Sequence, residues 1–254
     1  MNSSALRLPE RGAKPRERGL TLLIDPGLPR RYFQDAIESA SLYIDLVKFG
    51  WGTSIVSDHL EDKIACLQDH EIEFFFGGTL FEKFYQQHKV GAYYDYCRRY
   101  NCSYIEISNG TVDLANEDKA RIIADFAGEF KIVSEVGYKD SDQSQLLAPS
   151  VWIAYIRQDL AAGATKVLLE ARESGTSGIC RPDGTLRYGL IEDVLNSGID
   201  SNDLIFEAPT KALQTTFIHR LGPQVNLANI PVTDAIGLET LRLGLRADTL
   251  LFVP

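Results

Sequence analysis

Residues 166–175 read Lys-Val-Leu-Leu-Glu-Ala-Arg-Glu-Ser-Gly. Side chains alternate across an extended chain, so Val167 and Leu169 share one face and Glu170 and Arg172 the other. Such a strand is apolar where it lies under helices and turns polar at its C-terminal end. The same design recurs along the 254 residues. Runs rich in β-branched and apolar residues fall at 21–26, 44–50, 72–78, 104–110, 131–137, 203–209 and 224–230, mostly closed by Gly, Pro or a small polar residue. Amphipathic stretches at helical spacing follow them, most clearly at 81–100, 151–162 and 210–221. Strict strand–helix alternation implies parallel strands joined by helical crossovers. Eight such units in one domain-sized chain predict an α/β fold, a single (β/α)8 TIM barrel, rather than an open sheet. Neither G-x-G-x-x-G nor G-x-x-x-x-G-K-[ST] occurs, which argues against a nucleotide-binding open sheet.

The barrel domain is expected over 19–254. Residues 1–18 are polar and basic and read as a flexible N-terminal arm or the start of a barrel-closing segment. They lack the apolar core of a secretory signal, no run of about 18 apolar residues is present, and a cytoplasmic protein is expected. The net charge of -9 disfavours general binding to nucleic acid or an anionic membrane. Cys66, Cys97, Cys102 and Cys180 complete no zinc pattern and read as reduced thiols. His59, His70, His88 and His219 fall in helical regions or at their ends, outside the strand mouths, and suggest neither a Ser–His–Asp triad nor a Cys–His pair. The glycine-containing connection 175–189 is a candidate lid.

Strand parity then selects an inward set: Asp25, Lys48, Glu106 with Ser108, Glu135, Glu170 with Arg172, Glu207, and Asn226. Each sits near a strand's C-terminal end, where barrel enzymes build their sites. Buried charge costs several kcal/mol or more per group unless it is paired or binds something. Five inward carboxylates against two cations leave a negative surplus. Oxygen donors favour Mg2+ or Mn2+ over zinc. The alternative is a self-neutralised salt-bridge layer without metal.

Several segments carry a family resemblance. Val47 to Ser54 (Val-Lys-Phe-Gly-Trp-Gly-Thr-Ser), Gly77-Gly78-Thr79-Leu80-Phe81-Glu82, Glu106-Ile107-Ser108-Asn109-Gly110 and Ser134-Glu135-Val136-Gly137 resemble the phosphosulfolactate synthase family. So do Glu170 to Gly175, Ile205-Phe206-Glu207-Ala208-Pro209, the run Val225 to Ile230, and the C-terminal stretch from Leu238 to Arg246. The resemblance implies a Mg2+-dependent lyase-type enzyme that adds sulfite to phosphoenolpyruvate, giving (2R)-phospho-3-sulfolactate on the route to coenzyme M. It also suggests roles. Lys48 and Arg172 would clamp phosphate or carboxylate oxygens, Asp25, Asn226 and Asn229 would contact substrate, and Glu135, Glu170 and Glu207 would hold the metal. Lys139 would be the acid, displaced by one residue because Tyr138 follows Glu135-Val136-Gly137 first, with Tyr138 the alternative as a weak acid. The loop after strand six departs from the family's glycine- and lysine-rich pattern, with Arg181 its one basic residue within 175–184. Plant heat-stress-associated proteins share the same pattern. A second reading is therefore a repurposed barrel acting in thermotolerance through protein partners. A homo-oligomer is the expected assembly.

Overall fold

The computed structural model describes residues 5–251. The strands are β1 (Thr21–Asp25), β2 (Leu46–Phe49), β3 (Glu73–Phe76), β4 (Tyr104–Ile107), β5 (Lys131–Val136), β6 (Ala164–Leu169), β7 (Leu204–Glu207) and β8 (Leu227–Pro231). The α-helices are α1 (Arg30–Ala40), α2 (Thr53–Val56), α3 (Leu60–Asp69), α4 (Gly78–Gln86), α5 (Val90–Arg99), α6 (Asn116–Phe126), α7 (Ser141–Leu146), α8 (Pro149–Ala161), α9 (Tyr188–Asn196), α10 (Lys211–Leu221) and α11 (Ala235–Arg242). All strand pairs are parallel, in the order β3-β2-β1-β8-β7-β6-β5-β4. The outer two, β3 and β4, meet side by side and close the ring as a (β/α)8 barrel.

Parity builds two apolar layers. Leu22, Leu46, Phe75, Val133, Leu168, Ile205 and Ala228 fill the barrel interior. Leu23, Val47, Ile105, Val167, Leu169 and Phe206 face the helices and join the larger core. Two residues beyond an interior apolar group comes each charged one: Lys48 after Leu46, Glu135 after Val133, Glu170 after Leu168, Glu207 after Ile205. The polar layer therefore caps an apolar plug, at the C-terminal end of the strands.

The seam between β3 and β4 is sealed by the start of α4 rather than by a strand ladder. Gly78 N donates to Glu106 Oε2 at 3.0 Å, and Ser108 Oγ and Gly110 N donate to Glu82 Oε1 at 2.6 and 2.9 Å. A Cβ on Gly78 would lie 2.4 Å from Ser108 Oγ, so glycine is required for this approach.

Two expectations are revised. The helical stretch 81–100 is two helices, α4 and α5, broken where His88 takes a φ of 56°. The sixth strand stops at Leu169, before its expected end at 174, because Arg172 turns into the left-handed region at φ 61°. The described part of the basic arm makes side-chain contacts with the body of the barrel. Arg11 Nε lies 3.0 Å from Glu239, Arg16 Nη1 lies 2.9 Å from Asp45, and Lys14 Nζ donates to the Ser41 carbonyl at 3.1 Å. The segment thus lies across the N-terminal end of the barrel, beneath the apolar interior.

Candidate active site

At the mouth, Glu106, Glu135, Glu170 and Glu207 converge with Lys48, all buried. Lys48 Nζ donates to Glu106 Oε1 at 3.3 Å and lies 3.5 Å from Glu207 Oε1. Glu207 is fixed on its other side by Ala171 N, which donates to Oε2 at 2.8 Å, and by Asn229 Nδ2, which donates to Oε1. Glu170 Oε1 accepts from Arg172 N at 2.5 Å. Lys139 reaches in from the loop after β5. Its Nζ lies 3.1 Å from Glu135, 3.6 Å from Glu82 and 4.0 Å from Glu170, and contacts Thr79 Oγ1 at 3.4 Å.

The electrostatics follow from burial against these lysines. Burial opposes charge on Glu135, yet Lys139 and Lys48 hold its carboxyl down at about 2. Burial pushes Glu106 up to about 8, with Lys48 pulling the other way and Glu135 adding to the rise. Glu170 is raised well above the usual carboxylate range by burial and then by its neighbours Glu135 and Glu207. Burial would lower Lys48, but Glu106 and Glu207 more than offset it and raise the amine. Lys139 is raised in the same way, Glu135 and Glu170 outweighing burial.

One carboxylate oxygen from each of Glu135, Glu170 and Glu207 lies within 4.8 Å of the others. Octahedral Mg2+ holds oxygens at about 2.1 Å, which sets ligands about 3–4 Å apart, inside that spacing. Glu170 Oε2 and Asn229 Oδ1 are buried with no hydrogen-bond partner among the described residues. A buried, unpartnered acceptor costs about 1–3 kcal/mol, which a cation would relieve. The donor set therefore fits a hard divalent ion.

The structure brings together Lys48, Glu135, Glu170, Glu207, Asn229 and Lys139 around one small cavity of about 30 Å3. Arg172 lines it from the exposed rim instead of the interior, its Nη1 donating to the Lys139 carbonyl at 3.4 Å. Trp51 stands at the same rim.

Two expected substrate contacts are corrected. Asp25 points outward: its carboxylate accepts from Gly27 N at 3.0 Å, Leu28 N at 2.8 Å and the α3 amine of Lys63 at 2.6 Å. Both sides of β1 are apolar, so its sequence did not reveal which parity faces in. Asn226 lies at the opposite end of the barrel, its Oδ1 accepting from Leu20 N and its Nδ2 donating to the Asn202 and Leu204 carbonyls. It precedes β8, whose pairing starts one residue later at Leu227. Glu82 was not anticipated. It sits on a helix, where strand parity says nothing, although it belongs to the quoted Gly77–Glu82 motif. Two larger hollows, of about 870 and 470 Å3, lie under the docked arm. They are lined by arm residues that already have partners, such as Arg11 and Arg16, and lack the buried carboxylate cluster of the mouth.

These features define a (β/α)8 barrel with an acidic, lysine-clamped site at its C-terminal mouth, the place where barrel enzymes carry out chemistry. The family model of (2R)-phospho-3-sulfolactate synthase (ComA) matches residues 9–248. The chain is 56% identical over 249 residues to the phosphosulfolactate synthase of Bacillus subtilis, spanning 98% of this chain and 99% of that one. It is 41% identical over 257 residues to that of Methanothermobacter thermautotrophicus, spanning 98% of each. The chain belongs to the phosphosulfolactate synthase family. Among solved structures, 3-hexulose-6-phosphate synthase superposes with a TM-score of 0.55 at 13% identity, covering 88% of this chain and 98% of its own. Phosphonopyruvate hydrolase, solved with oxalate and Mg2+, gives 0.53 at 13% identity, covering 86% and 78%. These likenesses concern the fold.

Proposed function

We propose that this protein catalyses the Mg2+-dependent addition of sulfite to phosphoenolpyruvate, forming (2R)-phospho-3-sulfolactate. The observation that carries this reading is the convergence of Glu135, Glu170 and Glu207 with Lys48 and Lys139 on a chain of this family. In the addition, the sulfite sulfur forms a bond to C3 of the enol phosphate and the C2–C3 double bond opens. Electron density gathers at C2 and on the adjacent carboxylate, and a proton is then delivered to C2. Glu135, Glu170 and Glu207 would hold the divalent ion, which supplies positive charge to oxygens where negative charge develops. Lys48, fixed by Glu106 and Glu207, adds a buried positive charge beside the same oxygens. Arg172 at the rim suits two-point contact with a phosphate or carboxylate. Lys139 is held protonated among carboxylates, and its ammonium is the proton donor to C2.

The direct test mixes the protein with phosphoenolpyruvate, sulfite and Mg2+ and follows the phosphorus NMR signal. A new phosphate-ester resonance that disappears when Mg2+ is chelated is expected. Unchanged phosphoenolpyruvate under all conditions, with no Mg2+ binding by calorimetry, would refute the proposal.

A further inference from the structure

Behind β5, between the sheet and the helices, lies a buried charged group outside the mouth. Lys119 of α6 and Asp159 of α8 are fully buried with Nζ and Oδ2 2.7 Å apart. Ser134 Oγ donates to Asp159 Oδ2 at 2.5 Å and Asn116 Nδ2 donates to Oδ1 at 3.2 Å. Lys119 Nζ also donates to the Glu135 carbonyl at 2.9 Å. Removing two charges from water is costly, and an apolar pair of similar volume often serves stability as well or better. The pair therefore calls for a reason other than stability.

The reason lies in the end of β5. Successive carbonyls of a strand point to opposite neighbours, and that of Val136 accepts from Glu170 N at 3.1 Å on the β6 side. The Glu135 carbonyl then points toward β4, whose pairing with β5 has already ended at Ile107–Ser134. Lys119 supplies the missing donor. We propose that Lys119 and Asp159 are positioning residues: by fixing the Glu135 peptide, they set the Glu135 carboxylate and, through Val136 and the Gly137 turn at φ 127°, the approach of Lys139. The motif Ser134-Glu135-Val136-Gly137 then reads as one device. Ser134 faces outward to hold Asp159, Glu135 faces the mouth, Val136 packs in the core and Gly137 makes the turn.

The kinetic part of this inference rests on the synthase reading, so the test carries a readout that does not. The double variant Lys119→Met with Asp159→Leu removes both charges at once and leaves no buried ion unpaired. Its melting temperature is expected within about 3 °C of the parent. Its kcat and its Mg2+ affinity are expected to fall about tenfold or more, with kcat falling further than KM rises. Amide hydrogen exchange at Val136 and Gly137 is expected to accelerate about tenfold or more. A folded double variant with parental exchange at those amides, and parental kcat where the parent turns over, overturns the inference. If the parent shows no turnover, the synthase reading fails and the exchange result alone decides the positioning role. Should the double variant not fold, Ser134→Ala takes its place, and unchanged exchange at Val136 and Gly137 again overturns the inference.

Discussion

Glu170 ends the apolar run of β6 and begins the turn that carries Arg172, with one oxygen bonded to the Arg172 amide and the other without a hydrogen-bond partner among the described residues, Lys139 Nζ standing 4.0 Å from it. Burial, and then its place beside Glu135 and Glu207, raises its carboxyl well above the usual range despite the pull of Lys139. Glu170→Gln keeps the shape and removes the charge. It is expected to leave the fold intact and to weaken Mg2+ binding about tenfold or more in calorimetry. The raised carboxyl also fixes a pH dependence. A ligand carboxyl must lose its proton to bind metal, so Mg2+ affinity is expected to rise with pH and to level off once pH exceeds the raised value. Titrations in buffers of different ionisation enthalpy will show proton release on binding; an affinity that falls as pH rises contradicts this assignment. Lys139→Met keeps the aliphatic stem and removes the donor. Its kcat is expected to drop about 100- to 10,000-fold while Mg2+ binding persists, as read from steady-state kinetics beside calorimetry.

At the scale of elements, the connection between β6 and α9 is folded back on the site instead of standing clear of it. Ile179 N donates to the Glu170 carbonyl at 2.8 Å. Arg187 donates to the Ser144, Gly178 and Leu147 carbonyls, which ties the second half of the loop to the α7 region. The segment from Arg172 to Ser174 is exposed and forms the free rim. Gly178 makes this arrangement possible. It takes a φ of 60°, and a Cβ there would lie 1.7 Å from the Glu170 carbonyl oxygen. Gly178→Ala is expected to cost about 1–3 kcal/mol from overpacking, with further strain from the left-handed backbone. Urea denaturation checks the stability, and a parental midpoint would show that the loop relaxes freely.

At the scale of the whole molecule, the two ends of the barrel have separate tasks. The mouth concentrates charge above the apolar interior, while the opposite end is closed by the arm and by Arg242, which is fully buried and donates to the Pro223, Val225 and Leu20 carbonyls. Asp45 and Glu239 are buried beneath the arm and take Arg16 and Arg11 as partners. Burial raises the Asp45 carboxyl even against the pull of Arg16. Deleting residues 1–18 strands both carboxylates but also lets water reach them. The expected loss is about 2–3 kcal/mol, or about 4–12 °C in melting temperature by scanning calorimetry. Because the arm lies at the end away from Lys48 and Glu135, KM and kcat are expected to stay within about twofold of the parent.

Much of the fold and part of the site were legible because alternation along a strand is local. The eight apolar runs, each followed by a helical stretch, favoured a parallel barrel over an open sheet, and parity selected Lys48, Glu106, Glu135, Glu170 and Glu207 as inward groups without knowledge of any neighbour. Tertiary structure decided what parity leaves open. Asp25 lies on a strand apolar on both sides, and only the approach of Lys63 from α3 shows that it faces out. Asn226 has inward parity but the wrong height, since height along the barrel is set by the stagger between strands distant in sequence. Glu82, Lys119 and Asp159 ride on helices, and their partners come from strands brought close by closure of the ring. A period of two residues tells which side of the wall a side chain occupies; what it meets there depends on contacts that no single segment encodes.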